Sequence, residues 1–299
     1  MITLSNGHQL EYVVASGALG FDGKGWLWEK PLVNANLIDL SLFTITMRTV
    51  TAQPRPYPVS NLSWSRPWTW FPYSPVSCVR FLPDGGALNK IGLYNLGIDW
   101  WCNEVAPTID FRKINLVSSM SGTKEELVAS TMKLNRFGFR AHELNYSCPN
   151  AGTGPANTKG TIESVEAVYH VSRLPLILKL SVSQDYIAIA AGVKNFVQAI
   201  SLNSVPFKMV YPEKTKSPVT KLKGPGDGGV SGRPAQKLNW EAVSRLASIP
   251  NSIPVIGPSI MESEDVLKLS IRGARAFSFG AIHLRTPGKP TAIVRELNK

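Results

Sequence analysis

The sequence predicts an α/β protein: a (β/α)8 TIM barrel in a single domain, with inserted loops at the carboxyl-terminal face. Three observations carry this. β-rich runs alternate with helical-period runs eight times, a pattern that builds a parallel sheet and, at eight units, favours closure. The 299 residues suit one barrel, which typically needs ~250 residues before insertions. The glycine fingerprint of an open dinucleotide-binding sheet is missing. Ser16-Gly17-Ala18-Leu19-Gly20 does not fit G-x-G-x-x-G and precedes no clear helix. An open doubly wound sheet is the alternative architecture.

The expected strands are 12–16, 43–48, 114–119, 142–147, 176–180, 197–202, 254–257 and 276–279. They are short, apolar and β-branched, as strands covered on both faces are. Between them lie helix candidates. The first, 123–137, opens with Thr123 and carries Glu126 three residues on, a capping box. The next, 161–172, has Glu163 and Glu166 in its first turns, where the helix dipole favours negative charge. Segments 184–194, 239–247, 263–272 and 290–297 complete the set.

Two stretches break the rhythm. Residues 53–86 are Pro-rich and carry Trp64, Trp68, Trp70, Phe71 and Tyr73. Aromatic density argues against disorder. The insertion reads either as a loop packed on the rim or in a dimer interface, or as a docking surface for a partner, quinone or lipid. Residues 206–232 hold five lysines and then a glycine-rich run; for the lysines a solvated loop is the plain reading.

An apolar content of 43% supports a large core, and a net charge of +11 favours anionic ligands. The basic residues are scattered, without an Arg-rich arm or zinc-finger spacing, so nucleic acid is not the expected partner. The three cysteines, Cys78, Cys102 and Cys148, make no paired framework and suit a reducing cytoplasm. No signal-peptide pattern opens the chain, and no window holds the ~20 apolar residues of a membrane span.

In a barrel, working residues sit at the carboxyl ends of strands. Ser16 and Gly17, Arg48 and Thr49, Ser119, Asn145 and Ser147, and Asn203 and Ser204 all stand at such ends. Cys148 follows directly on the fourth strand. It is a candidate nucleophile or base, against the plain reading of a small buried hydrophobe. Lys179 lies inside Leu176-Ile177-Leu178-Lys179-Leu180. A charge in so apolar a strand must pair with a carboxylate or face a ligand, because an unpaired buried charge is costly. Gly226 to Gly232 can offer amides to a phosphate or can be a flexible loop, and Gly257 and Gly280 end the last two strands, where barrels often bind phosphate. His142 and His283 have no metal-ligand spacing and read as structural; His8 and His170 read as surface residues, and no metal site is expected.

Leu144-Asn145-Tyr146-Ser147-Cys148-Pro149-Asn150 resembles a motif of the class 1 dihydroorotate dehydrogenases. The similarity continues nearly end to end. It takes in Ala15-Ser16-Gly17 with Gly20-Phe21, Thr49-Val50-Thr51 with Pro54-Arg55-Pro56, and Asn89-Lys90-Ile91-Gly92-Leu93-Tyr94-Asn95-Leu96-Gly97. It continues through Lys179, Asn203-Ser204, Gly228-Gly229-Val230-Ser231-Gly232 and Ile256-Gly257. The resemblance implies an FMN-containing barrel that oxidises dihydroorotate to orotate in pyrimidine synthesis. It implies Cys148 as the base at substrate C5, hydride transfer from C6 to flavin N5, and Lys179 beside the flavin N1/O2 edge. Substrate contacts would come from Arg48, Asn89, Ile91, Gly92, Leu93, Asn145, Asn150, Asn203 and Ser204. Flavin contacts would come from Ala15, Ser16, Gly17, Arg48, Thr49, Ser119, Asn145, Lys179, Leu202, Gly228, Gly229, Gly257, Gly280 and Ala281. A homodimer follows from the resemblance alone. The oxidant stays open between fumarate, a quinone and NAD reached through an iron–sulfur subunit, the chain itself having no cluster-binding cysteine spacing.

The departures mark a divergent member. Arg48 stands where the family has lysine, and a rigid guanidinium fork does not replace a point charge conservatively. Pro258-Ser259 replaces a Gly-Gly pair in a phosphate loop one residue shorter, and Pro258 has no amide to donate. Tyr94 stands where proline is common. These changes leave two further readings: a flavin oxidoreductase of the same fold acting on another dihydropyrimidine, and a binding protein that has lost flavin.

Overall fold

Eight short parallel strands close on themselves in the computed structural model, which describes residues 1–55, 79–90, 92–147, 157–202, 204–218 and 227–299. Among the described residues the strands are, in chain order, β1 Ile2–Thr3, β2 Gln9–Leu10, β3 Tyr12–Val14, β4 Thr44–Thr46, β5 Val79–Phe81, β6 Gly86–Asn89 and β7 Asn115–Met120. They continue as β8 His142–Asn145, β9 Leu176–Leu180, β10 Ala199–Leu202, β11 Val205–Pro206, β12 Gly229–Gly232, β13 Val255–Gly257 and β14 Ala274–Phe279. The closed barrel runs β3-β4-β7-β8-β9-β10-β13-β14, and β14 pairs back onto β3. Each of the eight expected strands is one of these. Several are shorter at their carboxyl ends than their sequence patterns, because the chain bends there into inserted loops. Ladder bonds still continue past the ends: Ala15 N–H donates to Phe279 O at 2.9 Å and Met47 N–H to Val117 O at 3.0 Å.

The helices cover the outer wall. Lys124–Leu134 starts at the expected capping box, with Thr123 Oγ1 accepting from Glu126 N–H and Glu126 Oε2 from Thr123 N–H. It buries Leu127, Thr131 and Leu134, one face at helical spacing. The following helix, Thr158–Val171, begins earlier than its sequence pattern suggests. Asn157 caps it by accepting from Gly160 N–H at 2.8 Å, and Glu163 and Glu166 fall beyond the first turn. Tyr186–Gly192, Gln236–Ala247, Ser263–Ile271 and Lys289–Leu297 follow.

Two additions were not legible in the sequence. The antiparallel β1–β2 hairpin closes the amino-terminal end of the barrel. Its Ile2, Leu4 and Leu10 pack with Val13, Val117, Ala141, Ile177, Ala199, Ile256 and Ala276, the apolar floor of the barrel interior. The second addition is an antiparallel sheet ordered β11-β12-β6-β5. Its strands arise from the segments after β4 and β10, so it stands over the carboxyl-terminal mouth. Its own small core holds Leu88, Val205, Phe207, Val230 and Ala235. Most of the aromatic insertion lies outside the described residues.

Candidate functional site at the barrel mouth

Side chains alternate along a strand with a period of two. Val117, Ala141, Ile177 and Ala199 belong to the apolar floor, so Ser119, Glu143, Lys179 and Ser201 point into the barrel one step nearer its mouth. The interior thus changes from apolar to polar within a single step. Register holds this layer together: Ser119 lies opposite Glu143, Lys179 opposite Ser201, and Asn145 opposite Lys179.

Lys179 and Glu143 form a buried ion pair, Nζ to Oε1 3.6 Å, with side chains 4% and 5% exposed. Of the two readings of Lys179 from the sequence, the ion pair with a carboxylate is present, one step below the mouth. Glu143 Oε1 also accepts from Ser119 Oγ at 2.9 Å. Ser119 Oγ is 2.8 Å from Thr49 Oγ1, and Thr49 Oγ1 is 3.0 Å from Ser16 Oγ. A carboxylate can only accept, so Ser119 gives its proton to Glu143 and takes a hydrogen bond from Thr49. Thr49 and Ser119 are thereby ordered toward Glu143, while Ser16 Oγ donates to Met47 O at 2.8 Å.

Asn145 joins the same network. Its Nδ2 donates to Thr49 Oγ1 at 2.8 Å. Its Oδ1 accepts from Ser147 N–H at 3.1 Å and from Ser147 Oγ at 2.7 Å. A backbone N–H only donates, so this contact fixes which end of the carboxamide is oxygen. Asn145 is thus locked in one orientation before any ligand arrives.

The other face of the same strands is structural. His142 Nδ1 lies 2.6 Å from Ser118 Oγ and its Nε2 3.2 Å from Asn135 Oδ1. Asn135 Oδ1 also accepts from Arg173 N–H, so Nε2 carries the proton. Burial holds the His142 pKa down, to about 4. His283 is fully buried against Phe43, and burial lowers its pKa to about 3. Both match the structural role expected for them. His170 is exposed, whereas His8 is half-buried and hydrogen-bonds Thr44 at 2.8 Å.

Around the mouth, Arg48 leaves β4 tied by its N–H to Gly20 O at 2.8 Å. Its guanidinium lies 5.6 Å from the centre of the Phe21 ring, and Nη2 donates to Tyr94 O at 3.4 Å. Gly17 has open space beside this arginine and adopts φ +88°, which a side chain would resist. Gly280, at the exit of β14, faces Ala15: an added Cβ would come within 3.3 Å of the Ala15 Cβ. Ala281 follows it, and Leu202 ends β10.

The second sheet brings Asn89, Gly228 and Gly229 together, and Ser204 directly precedes its strand β11. Asn89 Nδ2 donates to Gly229 O at 3.3 Å, the two residues being in register across β6 and β12. Gly228 adopts φ +96° with its open side against the Asn89 carbonyl. Gly257 lacks a side chain for another reason: a Cβ there would strike Ala274 and Leu269 on the helix side, at 2.9 and 3.0 Å. Gly92 and Leu93 lie in the turn that follows β6. Ile91, Cys148, Asn150 and Asn203 lie outside the described residues. Glu143 was missed in the sequence reading, although it sits two residues before Asn145 and therefore on the same strand face.

No group of acidic, histidine or cysteine side chains that could hold a metal occurs among the described residues, and none of their helices is long and apolar enough to cross a membrane.

Comparison with known proteins places these features in a family. The family model described as dihydroorotate dehydrogenase matches residues 78–299. A Bacteroides fragilis protein named dihydroorotate dehydrogenase B (NAD(+)), catalytic subunit, is 30% identical over 222 residues, 71% of this chain and 72% of that one. Its namesake from Carboxydothermus hydrogenoformans is 29% identical over 299 residues, covering 95% of this chain and 86% of its own. Among solved structures, a ligand-free DHODH from Eimeria tenella superimposes with a TM-score of 0.68 over 95% of this chain and 82% of that one, at 16% identity, a likeness of fold. With most of its length matched by the family model and its barrel shared with a solved DHODH, the chain belongs to the dihydroorotate dehydrogenase family.

Proposed function

We propose that this chain is an FMN-dependent dihydroorotate dehydrogenase of class 1, a catalytic subunit that oxidises dihydroorotate to orotate in pyrimidine biosynthesis. Beyond family membership, one observation carries the reading: a buried cation, a locked carboxamide and an ordered row of hydroxyls converge at the carboxyl-terminal mouth of the barrel.

The residues present fit FMN. Lys179, Asn145, Thr49, Ser119 and Ser16 supply the mixed donors and acceptors that a flavin pyrimidine edge needs. Gly17 and Gly280 add no side chain to the adjoining wall and Ala15 only a methyl group, and Arg48 and Leu202 flank it. Backbone at Gly228, Gly229, Gly257, Gly280 and Ala281 would hold the phosphate. The chemistry that bound FMN supplies is acceptance of the hydride leaving substrate C6.

The chain's own residues do the rest. Cys148, one residue beyond Ser147, removes the proton from substrate C5. A free thiol is only a few per cent thiolate at neutral pH, so its surroundings must favour the ionised form. Asn145, with its oxygen committed to Ser147 and one N–H to Thr49, has a second N–H to present to ligand. The resemblance assigns contacts with the orotate ring and carboxylate to Asn89, Asn150, Asn203 and Ser204, and further substrate contacts to Ile91, Gly92 and Leu93. The buried Lys179 charge favours developing negative charge at the site. The role of the relatives, catalytic subunit of an NAD(+)-linked enzyme, supports an electron route to nicotinamide through a separate subunit. The resemblance supports a homodimer and a single FMN-binding domain over residues 1–299.

The test is the visible spectrum of purified protein before and after anaerobic dihydroorotate. A flavin spectrum that bleaches is expected. A flavin that stays oxidised rejects the substrate, and a protein that cannot be loaded with FMN rejects the cofactor. Arg48, held over Phe21 and against Tyr94 O, favours one second reading, a different dihydropyrimidine as substrate. Bleaching by dihydrouracil and not by dihydroorotate would select it.

A further inference from the structure

The carboxylate of Glu143 has no part in the chemistry described so far, yet it lies at the centre of the polar layer. We infer that Glu143 is a positioning residue, which holds the Lys179 side chain in place toward the flavin and sets the direction of the Thr49 and Ser119 hydroxyls beside it. The inference rests on the proposal that FMN binds at this mouth.

Three observations carry it. First, the pair is buried on both sides, 4% and 5% exposed. Buried ion pairs are poor stabilisers compared with apolar side chains of similar volume. A pair placed one step above an apolar floor therefore calls for a reason other than stability. Second, the Nζ–Oε1 distance is 3.6 Å, longer than the ~2.7–2.9 Å of a tight charge-assisted hydrogen bond. The carboxylate balances the ammonium without capturing its N–H groups. An ammonium has three donors, and no hydrogen bond to the described residues occupies them. Third, the same Oε1 is the acceptor at the end of the hydroxyl row, 2.9 Å from Ser119 Oγ. Through Ser119 and Thr49 it reaches Asn145, the other donor offered at the mouth. One carboxylate thus links the two donors.

Removing it has a definite consequence. An ammonium left without its carboxylate in the interior swings away or gives up its charge, because an unpaired buried charge is costly. Glu143→Gln should therefore act like loss of Lys179 itself. A neighbouring carboxylate that merely added negative charge would do the opposite.

The experiment uses holoprotein reconstituted with FMN: wild type, Glu143→Gln, Lys179→Met and the double variant. FMN affinity is read by fluorescence and the midpoint potential of the bound flavin by dye equilibration. Lys179→Met is expected to weaken FMN binding and move the potential negative, since a cation beside the ring favours its reduction. Glu143→Gln is expected to do both with the same sign, raising the FMN Kd roughly tenfold, and to add little in the Lys179→Met background. Ser119→Ala, a milder change that loosens Glu143 without removing charge, should shift the potential the same way by less, and it tests the idea even if the Gln variant does not fold. A potential that stays fixed or moves positive in Glu143→Gln would overturn the inference, as would equal shifts with and without Lys179, or no shift in Ser119→Ala. Wild-type protein that takes up no FMN would overturn the underlying proposal and this inference together. Flavin-loaded wild type whose potential ignores Glu143 would overturn the inference alone.

Discussion

Glu29 offers a quantitative test of how the loop beside the mouth is held. It is 1% exposed, and its Oε2 accepts from Trp26 N–H at 2.7 Å. The indole N–H of Trp26 in turn donates to Gly17 O at 3.2 Å, which ties the segment to the exit of β3. Burial pushes the Glu29 carboxyl up from 4.5 to about 7, against the opposing pull of the Trp26 N–H and the Lys30 charge. The folded state therefore holds this proton more tightly than the unfolded state. Its stabilising contribution is complete below pH 4.5 and is lost as pH rises through 7. At ~1.36 kcal/mol per pH unit, the full displacement corresponds to about 3 kcal/mol, and most of it falls between pH 5 and 8. Glu29→Gln keeps an oxygen for Trp26 N–H and cannot ionise. Urea unfolding of both proteins across this range, at fixed FMN, should give a difference curve that rises with pH. The variant should gain on the wild type by roughly 2–3 kcal/mol from pH 5 to pH 8. Taking the difference cancels histidine titrations common to both proteins. A difference curve flat to within about 0.5 kcal/mol, the ordinary scatter of a neutral substitution, would refute the reasoning.

Three further outcomes are expected. Cys148→Ala should retain flavin and lose turnover by about two to four orders of magnitude, the range of a positioned general base; near-normal reduction of its flavin by dihydroorotate in stopped flow would remove Cys148 from that role. Asn145→Ala deletes the acceptor for both Ser147 contacts and the donor to Thr49, so it should weaken orotate binding, read by flavin difference spectra, and lower stability by about 2 kcal/mol in urea unfolding. In His283 both ring nitrogens are buried without a hydrogen-bond partner among the described residues. Its pKa, lowered by burial from 6.5 to about 3, makes its stabilising contribution complete above pH 6.5 and lost as pH falls toward 3. His283→Leu should flatten that acid-side loss in thermal melts, and an unchanged acid limb would contradict the assignment.

The barrel was legible because its signals are local. A β-branched run, a capping box such as Thr123 with Glu126, and repetition eight times need no knowledge of distant contacts. The β1–β2 hairpin and the four-stranded sheet over the mouth were not legible. β1, β2 and β11 are two residues each, too short for a period to show, and β6 meets β12 across more than a hundred residues. The site divides in the same way. Lys179 was visible as a charge inside an apolar run, but its partner was not named. Glu143 becomes its neighbour only through the register of β8 against β9. Strand alternation put Glu143 and Asn145 on one face, and that signal was available without the structure. Gly257 shows the reverse difficulty. Its place at a strand end suggests phosphate, yet the space its missing Cβ leaves is filled by Ala274 and Leu269. A glycine alone does not reveal whether it makes room for a ligand or for a helix.

The Pro258-Ser259 departure becomes intelligible in the same terms. Ser259 adopts φ +68°, the left-handed region that glycine enters freely and a serine enters at a cost. The surroundings impose it. Gln236 Nε2 donates to Ser259 O at 3.0 Å, Asn239 Nδ2 to Ser259 Oγ at 3.3 Å, and Trp240 Nε1 to Pro258 O at 3.1 Å. All three come from one face of the Gln236–Ala247 helix. On the far side of the loop the buried Asp265 accepts from Met261 N–H, Glu262 N–H and Gln236 Nε2. The turn that a glycine pair would make by its own freedom is held here by side chains from two helices. Its shape is fixed before a ligand binds, which lowers the ordering cost of binding. The amides of Met261 and Glu262 are already committed, so a flavin phosphate would be met by backbone ahead of them and by Gly280 and Ala281 across the gap. A loop this firmly braced in the glycine conformation argues for a phosphate site rebuilt with different residues, and against one that has decayed.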